Sequence, residues 1–361
     1  MNYQKRPLED ITSIEDIQTL AKMGFSNWLE YGDVNVAERG DLRLFDYTTG
    51  AHIANRWNFF ERVSRGLMLN AVTGEIVARP FDKFFYWMAN GMRASGYIVT
   101  VTEKVDGSLG ILYRHKEQYH ITTKGSFFSP QARWATKFLN DNFDLTGLAD
   151  EWTLLFEIIY PDNRIIVNYD DREDLVLLAA RNRFTGEFMP FFPDLYNLAT
   201  EHGFTLPQVY QYNRIEDIIA ETGRIDANFE GWVVEFSDGS RFKFKMDEYI
   251  EIHKLMRGSM NFEGVLKAYI AGDIEHMQAV LPPGLQGNIG QWVSEIEQTI
   301  EQIEIQTQLA FSSAPPLNQA AFIEWANVNH PILLPYLQAY YDGRKLRPII
   351  FRHAFREKIA E

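Results

Sequence analysis

Cysteine is absent from this sequence of 361 residues, and so is any apolar run long enough to cross a bilayer. Without cysteine, the chain forms neither disulfides nor thiolate metal sites. Its first residues carry Lys5, Arg6, Glu9 and Asp10 and include no apolar signal segment. These absences together predict a cytoplasmic protein.

The chain is also poor in positive charge. It has 35 Lys and Arg residues against 49 Asp and Glu residues, a formal net charge of −14. An acidic balance of this size argues against a protein that coats nucleic acid non-specifically. Any contact with nucleic acid is therefore expected in a small, lysine-rich region.

Strand patterns occupy the first part of the chain and are missing from the rest. Alternating or apolar β-rich runs recur up to residue 246, for example over 42–47, 97–102 and 231–236. Beyond residue 247, apolar residues recur at three- and four-residue spacing, most clearly from Val293 to Ala310. This change predicts an α+β domain over 1–246 and an all-α domain over 247–361.

The stretch Glu103-Lys104-Val105-Asp106-Gly107-Ser108-Leu109-Gly110 follows a β-rich apolar run. Lys104 is therefore placed where a strand ends and an Asp-Gly turn begins, with Gly107 free to adopt a positive φ. One interpretation is a plain hairpin with an exposed lysine. The other is a nucleophilic lysine, which needs neighbouring cations or burial to lower its ordinary pKa of about 10.4.

Four further charged residues each have two interpretations. Glu157 lies in an apolar strand and must hydrogen-bond a specific partner, either in the core or on a ribose. Lys243 and Lys245 share one face of a strand, which is either a solvated edge or a site for a polyphosphate. Arg65 enters a strand and forms either a surface salt bridge or part of the same site.

The order of these motifs resembles the covalent nucleotidyltransferase superfamily, which contains ATP-dependent DNA and RNA ligases and capping enzymes. The motifs are Lys104-Val105-Asp106-Gly107-Ser108, Lys124-Gly125-Ser126, Phe156-Glu157, Glu230-Gly231-Trp232-Val233-Val234 and Lys243-Phe244-Lys245. Within that superfamily the chain is similar to the phage RNA ligase 1 family. This likeness rests on residues 44–47, 64–68, 78–85 and 156–167.

The resemblance implies an adenylation domain of antiparallel sheets and helices, and a helical domain in place of an appended OB-fold. It implies that Lys104 attacks the α-phosphorus of ATP, while Lys243 and Lys245 contact phosphates and lower the pKa of that amine. It also implies a nucleotide site formed by Tyr47, Arg65, Lys83, Glu103, Glu157 and Glu230. Lys124 and Tyr249 are implied in the later, RNA-dependent steps.

The resemblance further implies Mg²⁺, or Mn²⁺, with Asp273 or Glu275 as an acidic ligand. The substrates implied are ATP and RNA with 5′-phosphate and 3′-hydroxyl ends, joined through a lysyl-AMP and an adenylylated RNA end, as in tRNA repair. An end-healing kinase or phosphatase is the partner such a role suggests. The alternatives are a DNA ligase or capping enzyme, and a catalytically silent protein that binds RNA ends.

Overall fold

The computed structural model describes residues 11–356, apart from residues 56, 88, 225–227, 260, 282–285, 287 and 317. The chain divides into two compact units, Met1–Tyr249 and Ile250–Glu361. This division lies three residues beyond the sequence-predicted boundary at 246/247. The division falls inside a helix, Asp247–Ser259, that begins in unit 1 and continues into unit 2.

Unit 1 is built around three sheets. The first has the order β1-β2-β3-β4 and comprises Val34–Arg39, Leu42–Tyr47, Arg65–Asn70 and Ile76–Ala78. The second has the order β10-β9-β7-β8, formed by β7 Ser108–His115, β8 Gln118–Thr122, β9 Trp152–Ile159 and β10 Asp174–Asn182. The third has the order β11-β6-β12-β13-β5, formed by β5 Phe85–Tyr86, β6 Ile98–Glu103, β11 Val209–Tyr210, β12 Gly231–Phe236 and β13 Arg241–Lys245.

The described strand pairs are antiparallel except for β5 with β13, which is parallel. The α+β class expected from the sequence is therefore confirmed. The parallel pair of β5 and β13 departs from the antiparallel sheets that the resemblance implied. The helices of unit 1 are α1 Ile14–Lys22, α2 Thr49–Ala54, α3 Phe59–Val63, α4 Pro130–Asn142, α5 Tyr196–His202 and α6 Ile215–Thr222.

Local sequence signals account for where two of these helices begin. Ser13 accepts a hydrogen bond from the Asp16 amide at 3.2 Å, and Asp16 accepts one from the Ser13 amide at 3.0 Å. This reciprocal capping satisfies amides that have no partner within the helix. Ser129 caps α4 by accepting a hydrogen bond from the Ala132 amide, with Pro130 as the first helical residue. Both helices therefore begin at capping residues that are visible in the local sequence.

The first and second sheets of unit 1 share an apolar core. Leu44 and Met68 from the first sheet pack in one cluster with Ile111 and Leu155 from the second, all fully buried. The opposite face of the first sheet packs with α1, and the opposite face of the second packs with α4 and α5. Burying each such side chain stabilises the fold by about 1.5–3 kcal/mol. These layers fix the positions of the strand ends at which the charged residues lie.

The Asp106-Gly107 segment is a crossover between sheets, so the plain hairpin interpretation is wrong. β6 belongs to the third sheet and β7 to the second. Gly107 is not among the residues with positive φ. What it needs is space, because a Cβ there would lie 2.5 Å from the carbonyl oxygen of Ile158. The glycine thus lets the crossover pass against the backbone of β9.

The described part of unit 2 consists of helices and the turns between them. It continues α7 Asp247–Ser259 and contains α8 Phe262–Ala271, α9 Ile274–Val280, α10 Ile289–Ser312, α11 Gln319–Asn329, α12 Leu334–Tyr341 and α13 Arg347–His353. Ala310, Phe322, Ala326 and Leu337 form a buried cluster between α10, α11 and α12. Among the described residues, no helix has both the length and the apolar character needed to cross a membrane.

Candidate active site

One buried carboxylate holds two lysine ammonium groups where the three inner strands of the third sheet begin or end. Lys104 directly follows β6 and donates to one oxygen of Glu230 at 2.7 Å, while Lys245 pairs with the other oxygen at 2.7 Å. Glu230 is 3% exposed and immediately precedes β12. The Lys104 amide also donates to the Gly231 carbonyl at 2.8 Å. The pairing of β6 with β12 and of β12 with β13 brings these three residues together.

The carboxylates around Lys104 determine its charge. Burial by itself lowers the pKa of Lys104, but Glu230 and then Glu157 outweigh this effect, and its pKa is raised overall. Burial raises the pKa of Glu230, but its two lysines leave that pKa lowered. Lys104 is therefore an ammonium ion in the protein without bound nucleotide. The expectation that neighbouring cations keep it unprotonated is wrong for this state.

The cations instead act on Lys243, in the middle of β13. Burial and then Arg65, Lys104 and Lys83 lower the pKa of Lys243 well below its ordinary value. Its Nζ lies 4.4 Å from the centre of the Phe84 ring. Within the described part of the chain it has no ion-pair partner. This crowding of positive charge would be relieved by an anion such as a phosphate.

Glu157 on β9 is a buried acid whose side chain accepts no hydrogen bond within the described residues. Burial raises its pKa to about 7, although Lys104 opposes that rise. The interpretation of Glu157 as a satisfied core carboxylate is therefore wrong. A sugar hydroxyl is a donor that would satisfy such a group.

Arg65 at the start of β3 also has unused hydrogen-bonding capacity. Its Nη1 atom is buried and has no hydrogen-bond partner. The guanidinium carbon lies 5.6 Å from the centre of the Phe84 ring. It forms no salt bridge with any described residue, so the surface ion-pair interpretation is wrong. Phosphate oxygens are strong acceptors for a buried guanidinium of this kind.

Three aromatic rings surround the ammonium group of Lys83. Its Nζ lies 5.3 Å from the ring centre of Tyr47, 4.9 Å from that of Trp57 and 5.6 Å from that of Phe85. The Tyr47 and Trp57 rings meet edge to face at 5.0 Å. The sequence predicted Tyr47 and Lys83 but missed Trp57 and Phe85. Flat rings beside a cation suit a nucleobase next to a phosphate.

Lys124 lies beside the same Tyr47 ring, in a pair that the sequence did not reveal. Its Nζ donates to both carboxylate oxygens of Asp46, at 3.0 and 2.7 Å, and is 4.8 Å from the Tyr47 ring centre. Burial raises the pKa of Asp46, and Lys124 opposes that rise. The sequence analysis included Asp46 in the stretch 44–47 that carries the family resemblance, but gave it no role. Tyr47 therefore faces both Lys83 and Lys124.

The carboxylate of Asp106 is fully engaged inside the protein. One oxygen accepts from the Tyr249 hydroxyl at 2.7 Å, and the other accepts from the amides of Ile166 and Val167 at 2.9 Å each. Tyr249 is 1% exposed, and its ring centre lies 4.6 Å from Nζ of Lys245. Burial raises the pKa of this phenol. Asp106 and Tyr249 thus support the segment that carries Lys104.

The remaining predicted residues lie apart from this group. Glu103 ends β6, and burial raises its pKa while Arg172 opposes the rise. Among the described residues, the Glu103 side chain forms no hydrogen bond or salt bridge with Lys104, Glu230 or Lys245. Asp273 precedes α9 and Glu275 is in its first turn, both in unit 2. The described residues contain no group of three metal-ligating side chains, and the assignment of Asp273 or Glu275 to a metal stays a prediction.

Comparisons with known proteins converge on one enzyme class. The model of the family described as RNA ligase matches residues 63–250. A protein of Autographa californica nuclear polyhedrosis virus, whose name pairs polynucleotide kinase with RNA ligase, is 24% identical over 292 residues, covering 70% of this chain and 40% of that protein. RNA ligase 1 of bacteriophage TS2126 is 28% identical over 245 residues, covering 61% of this chain and 58% of that protein.

The chain therefore spans about half the length of these relatives. Among solved structures, an archaeal ATP-dependent RNA ligase superposes with a TM-score of 0.47 at 15% identity. That alignment covers 81% of this chain and 82% of the archaeal chain.

Proposed function

Because the chain belongs to the phage RNA ligase 1 family, we propose that it uses ATP to join a 5′-phosphate and a 3′-hydroxyl end of RNA. The observation that carries this proposal is the arrangement around Lys104. A lysine in the family's motif is held by Glu230 next to two cationic side chains, Lys243 and Arg65, that lack anionic partners among the described residues. A triphosphate is the substrate that would complete this site.

In the first proposed step, the amine of Lys104 attacks the α-phosphorus of ATP. A nitrogen–phosphorus bond forms as the bond to the bridging oxygen breaks, and pyrophosphate leaves with that oxygen. The ammonium must first lose a proton, which is released to water, because Glu230 holds the ammonium at hydrogen-bond distance but its lowered pKa makes it a weak base. When phosphates bind near Lys243, their negative charge offsets the crowding of cations there.

Two of the groups that would hold the nucleotide, Glu157 and Arg65, have hydrogen-bonding capacity that the described residues do not use. Glu157 would accept from a ribose hydroxyl, and Arg65 would donate to a phosphate oxygen. Tyr47, Lys83 and Phe85 would contact the base and sugar. Asp106 and Tyr249 would hold the Lys104 segment in place through their hydrogen bond.

In the next two steps, AMP passes from Lys104 to the RNA 5′-phosphate, and the RNA 3′-hydroxyl then displaces AMP to form the phosphodiester. Lys124 lies beside Tyr47 and is proposed to act in these steps. A divalent cation, Mg²⁺ or Mn²⁺, would neutralise part of the negative charge of the triphosphate when bound. Glu230 is engaged by two lysines and Asp106 by three hydrogen bonds, so the described donors do not fit a metal cage, and no step is assigned to metal.

For the biological role we propose RNA repair, including repair of tRNA, with unit 2 helping to select the RNA. A relative whose name pairs polynucleotide kinase with RNA ligase supports an end-healing kinase or phosphatase as a partner. We further propose that the reaction occurs in the cytoplasm, which for a phage-encoded enzyme is that of its host.

The proposal is tested by incubating the protein with α-labelled ATP and Mg²⁺ in the absence of RNA. The wild type should acquire an acid-labile AMP label, and Lys104→Ala should not. The 5′-phosphorylated RNA strand, added next, should take up AMP and then be joined. A wild type that binds RNA ends but never becomes labelled would establish the catalytically silent alternative. Labelling followed by joining of DNA ends alone would establish a DNA ligase.

A further inference from the structure

Cations and aromatic rings are grouped on one side of unit 1, outside the Lys104 site. Two edge strands meet this group, β1 at the edge of the first sheet and β8 at the edge of the second. We call it the Arg39 surface and define it by six residues: Arg39, Tyr113, His115, Lys116, His120 and Phe128.

Arg39 is the centre of this surface. Its guanidinium carbon lies 5.4 Å from the ring centre of Phe128 and 5.9 Å from that of Tyr113, whose hydroxyl accepts a hydrogen bond from Arg39. The His120 ring stacks on the Tyr113 ring at 5.4 Å and 29°. Phe128 is 53% exposed, although it is a large apolar side chain. An aromatic face is thus open to solvent beside a cation.

Two cations of the Arg39 surface, Arg39 and Lys116, form no salt bridge with a described residue, because the neighbouring carboxylates Glu38 and Glu117 pair with Arg43 and Arg114. Burial and then Arg39 and Lys116 lower the pKa of His115, while Asp41 opposes them. Burial and then Arg39 and His115 lower the pKa of His120. A polyanion would match that charge pattern.

The Arg39 surface is close in sequence to the candidate active site. Lys124, paired with Asp46 beside Tyr47, lies four residues before Phe128, and the segment between them begins with a tight turn in which the Thr123 amide donates to the Ser126 carbonyl at 3.2 Å. The buried ring of Phe127 packs at 5.9 Å from Tyr113 and 6.2 Å from Phe128, which anchors the end of this segment on the Arg39 surface. A strand of RNA that leaves the reacting ends near Lys124 therefore has a short path to Phe128 and Arg39.

We propose that the Arg39 surface binds a single-stranded segment of the substrate RNA, with a base stacked on Phe128 and backbone phosphates on Arg39 and its neighbours. This proposal rests on the proposed RNA ligase function for the identity of the strand. Single strands are recognised by alternating aromatic faces and cations, because every base has a flat face and every linkage a charge. A folded acidic protein partner would not use the open ring of Phe128 in this way.

The test measures binding of fluorescein-labelled single-stranded RNA of about 12 nucleotides by anisotropy, with no ATP present. Phe128→Ala should weaken binding about fivefold or more, because one stacked base is lost. Arg39→Gln removes charge but keeps a donor for the Tyr113 hydroxyl, and should reduce the salt slope by about 0.7 for each lost phosphate contact. Both variants should still become adenylylated at Lys104 at the wild-type rate.

Matched controls come from the same unit. Phe184 is 54% exposed, and Arg214 is an exposed arginine that pairs with Glu216. Phe184→Ala and Arg214→Gln should leave RNA binding within twofold of wild type. Unchanged binding in Phe128→Ala and Arg39→Gln, or equal losses in the two controls, would overturn the proposal.

A second measurement uses the wild type and does not depend on how the variants fold. RNA carrying 5-iodouridine is photo-crosslinked to the protein, and the attached peptides are identified by mass spectrometry. Crosslinks at Phe128 or His120 support the proposal, and crosslinks confined to other segments overturn it. If the wild type binds RNA here but is never adenylylated, the ligase function fails while the surface stands. If it is adenylylated but RNA crosslinks elsewhere, only the surface fails.

Discussion

The hydroxyl of Tyr249 donates to Asp106 at 2.7 Å across 143 residues of sequence, in a fully buried position. This bond ties the end of unit 1 to the crossover that carries Lys104. The other oxygen of Asp106 is held by two backbone amides. The crossover is therefore fixed from two directions.

Tyr249→Phe should lower the stability of unit 1. The substitution leaves one oxygen of a buried carboxylate unsatisfied, which costs about 1–3 kcal/mol. Thermal and urea unfolding measure the change. Tyr336→Phe is the matched control, since Tyr336 is 5% exposed and no hydrogen bond of its hydroxyl is among those described. An equal loss in both variants would contradict a specific role for the Tyr249 bond.

Glu230→Gln should destabilise the protein in a manner that depends on pH. Two buried ammonium groups lose their shared carboxylate, and breaking such a pair costs about 3–5 kcal/mol. Without the Glu230 charge, the burial that lowers the pKa of Lys104 is no longer outweighed to the same extent, so the folded variant binds this proton less tightly than the wild type does. Relative to wild type, the variant's stability should rise as pH increases towards about 10, where the unfolded lysines also lose protons.

The control for that behaviour is Glu235→Gln. Glu235 pairs with the buried guanidinium of Arg241 at 2.6 Å. Arginine keeps its proton throughout this pH range, so the lost stability should not return at high pH. Urea titrations of both variants between neutral and alkaline pH compare the two. Identical pH profiles would count against the assignment of charge at Lys104.

Glu157→Gln should change how stability depends on pH in the acidic range. The pKa of Glu157 is raised to about 7 from an ordinary 4.5, so the folded state holds a proton that the unfolded state releases. Its contribution is present below pH 4.5 and is lost as pH rises through 7. Relative to wild type, the variant should therefore gain stability between these values, by a few kcal/mol at most.

Chemical denaturation at closely spaced pH values measures this difference for Glu157→Gln. Glu187→Gln, a substitution at another carboxylate of unit 1, should give a pH profile parallel to wild type. A wild type whose stability rises steadily between pH 4.5 and 7 to the same extent as that of Glu157→Gln would exclude a raised pKa for Glu157.

Asp46→Asn should separate the proposed steps of the reaction. Asp46 holds Lys124 at 2.7 Å, but Lys124 is about half exposed, so stability should change by no more than about 1 kcal/mol. Adenylylation of Lys104 without RNA should be retained, while transfer of AMP to RNA should slow about tenfold or more. Because Asp46 is proposed to act through Lys124, adding Asp46→Asn to Lys124→Ala should cause little further loss. Additive losses in the double variant would contradict that pairing.

The sequence was sufficient to identify site residues that belong to short local motifs. Lys104, Glu157, Glu230 and Lys245 were identified from short stretches, and the structure places Lys104 and Lys245 on the two oxygens of Glu230. The sign of the pKa shift at Lys104 was missed, because it depends on a carboxylate 126 residues away. Spacing within a motif carries no information on such a distant charge.

The same limit explains the residues that sequence reasoning did not find. Asp46 is 78 residues from Lys124, and Trp57 reaches Lys83 from a separate loop. Neither contact could be inferred from spacing along the chain, although Asp46 lies in the stretch 44–47 that carries the family resemblance. The fold class was accessible because strand and helix periodicities are local. The Asp106-Gly107 segment was misjudged because hairpins and crossovers use the same turn residues.

Gly66 has φ +98°, and a Cβ there would come within 2.2 Å of the Ile111 side chain and 3.2 Å of the Lys124 Cα. It follows Arg65 directly and abuts the residue proposed to act on RNA. Alanine there would be strained at this φ and would displace the Ile111 side chain, between Arg65 and the backbone of Lys124. Alanine at position 66 should therefore impair charging with AMP and also the sealing of RNA that has been adenylylated beforehand.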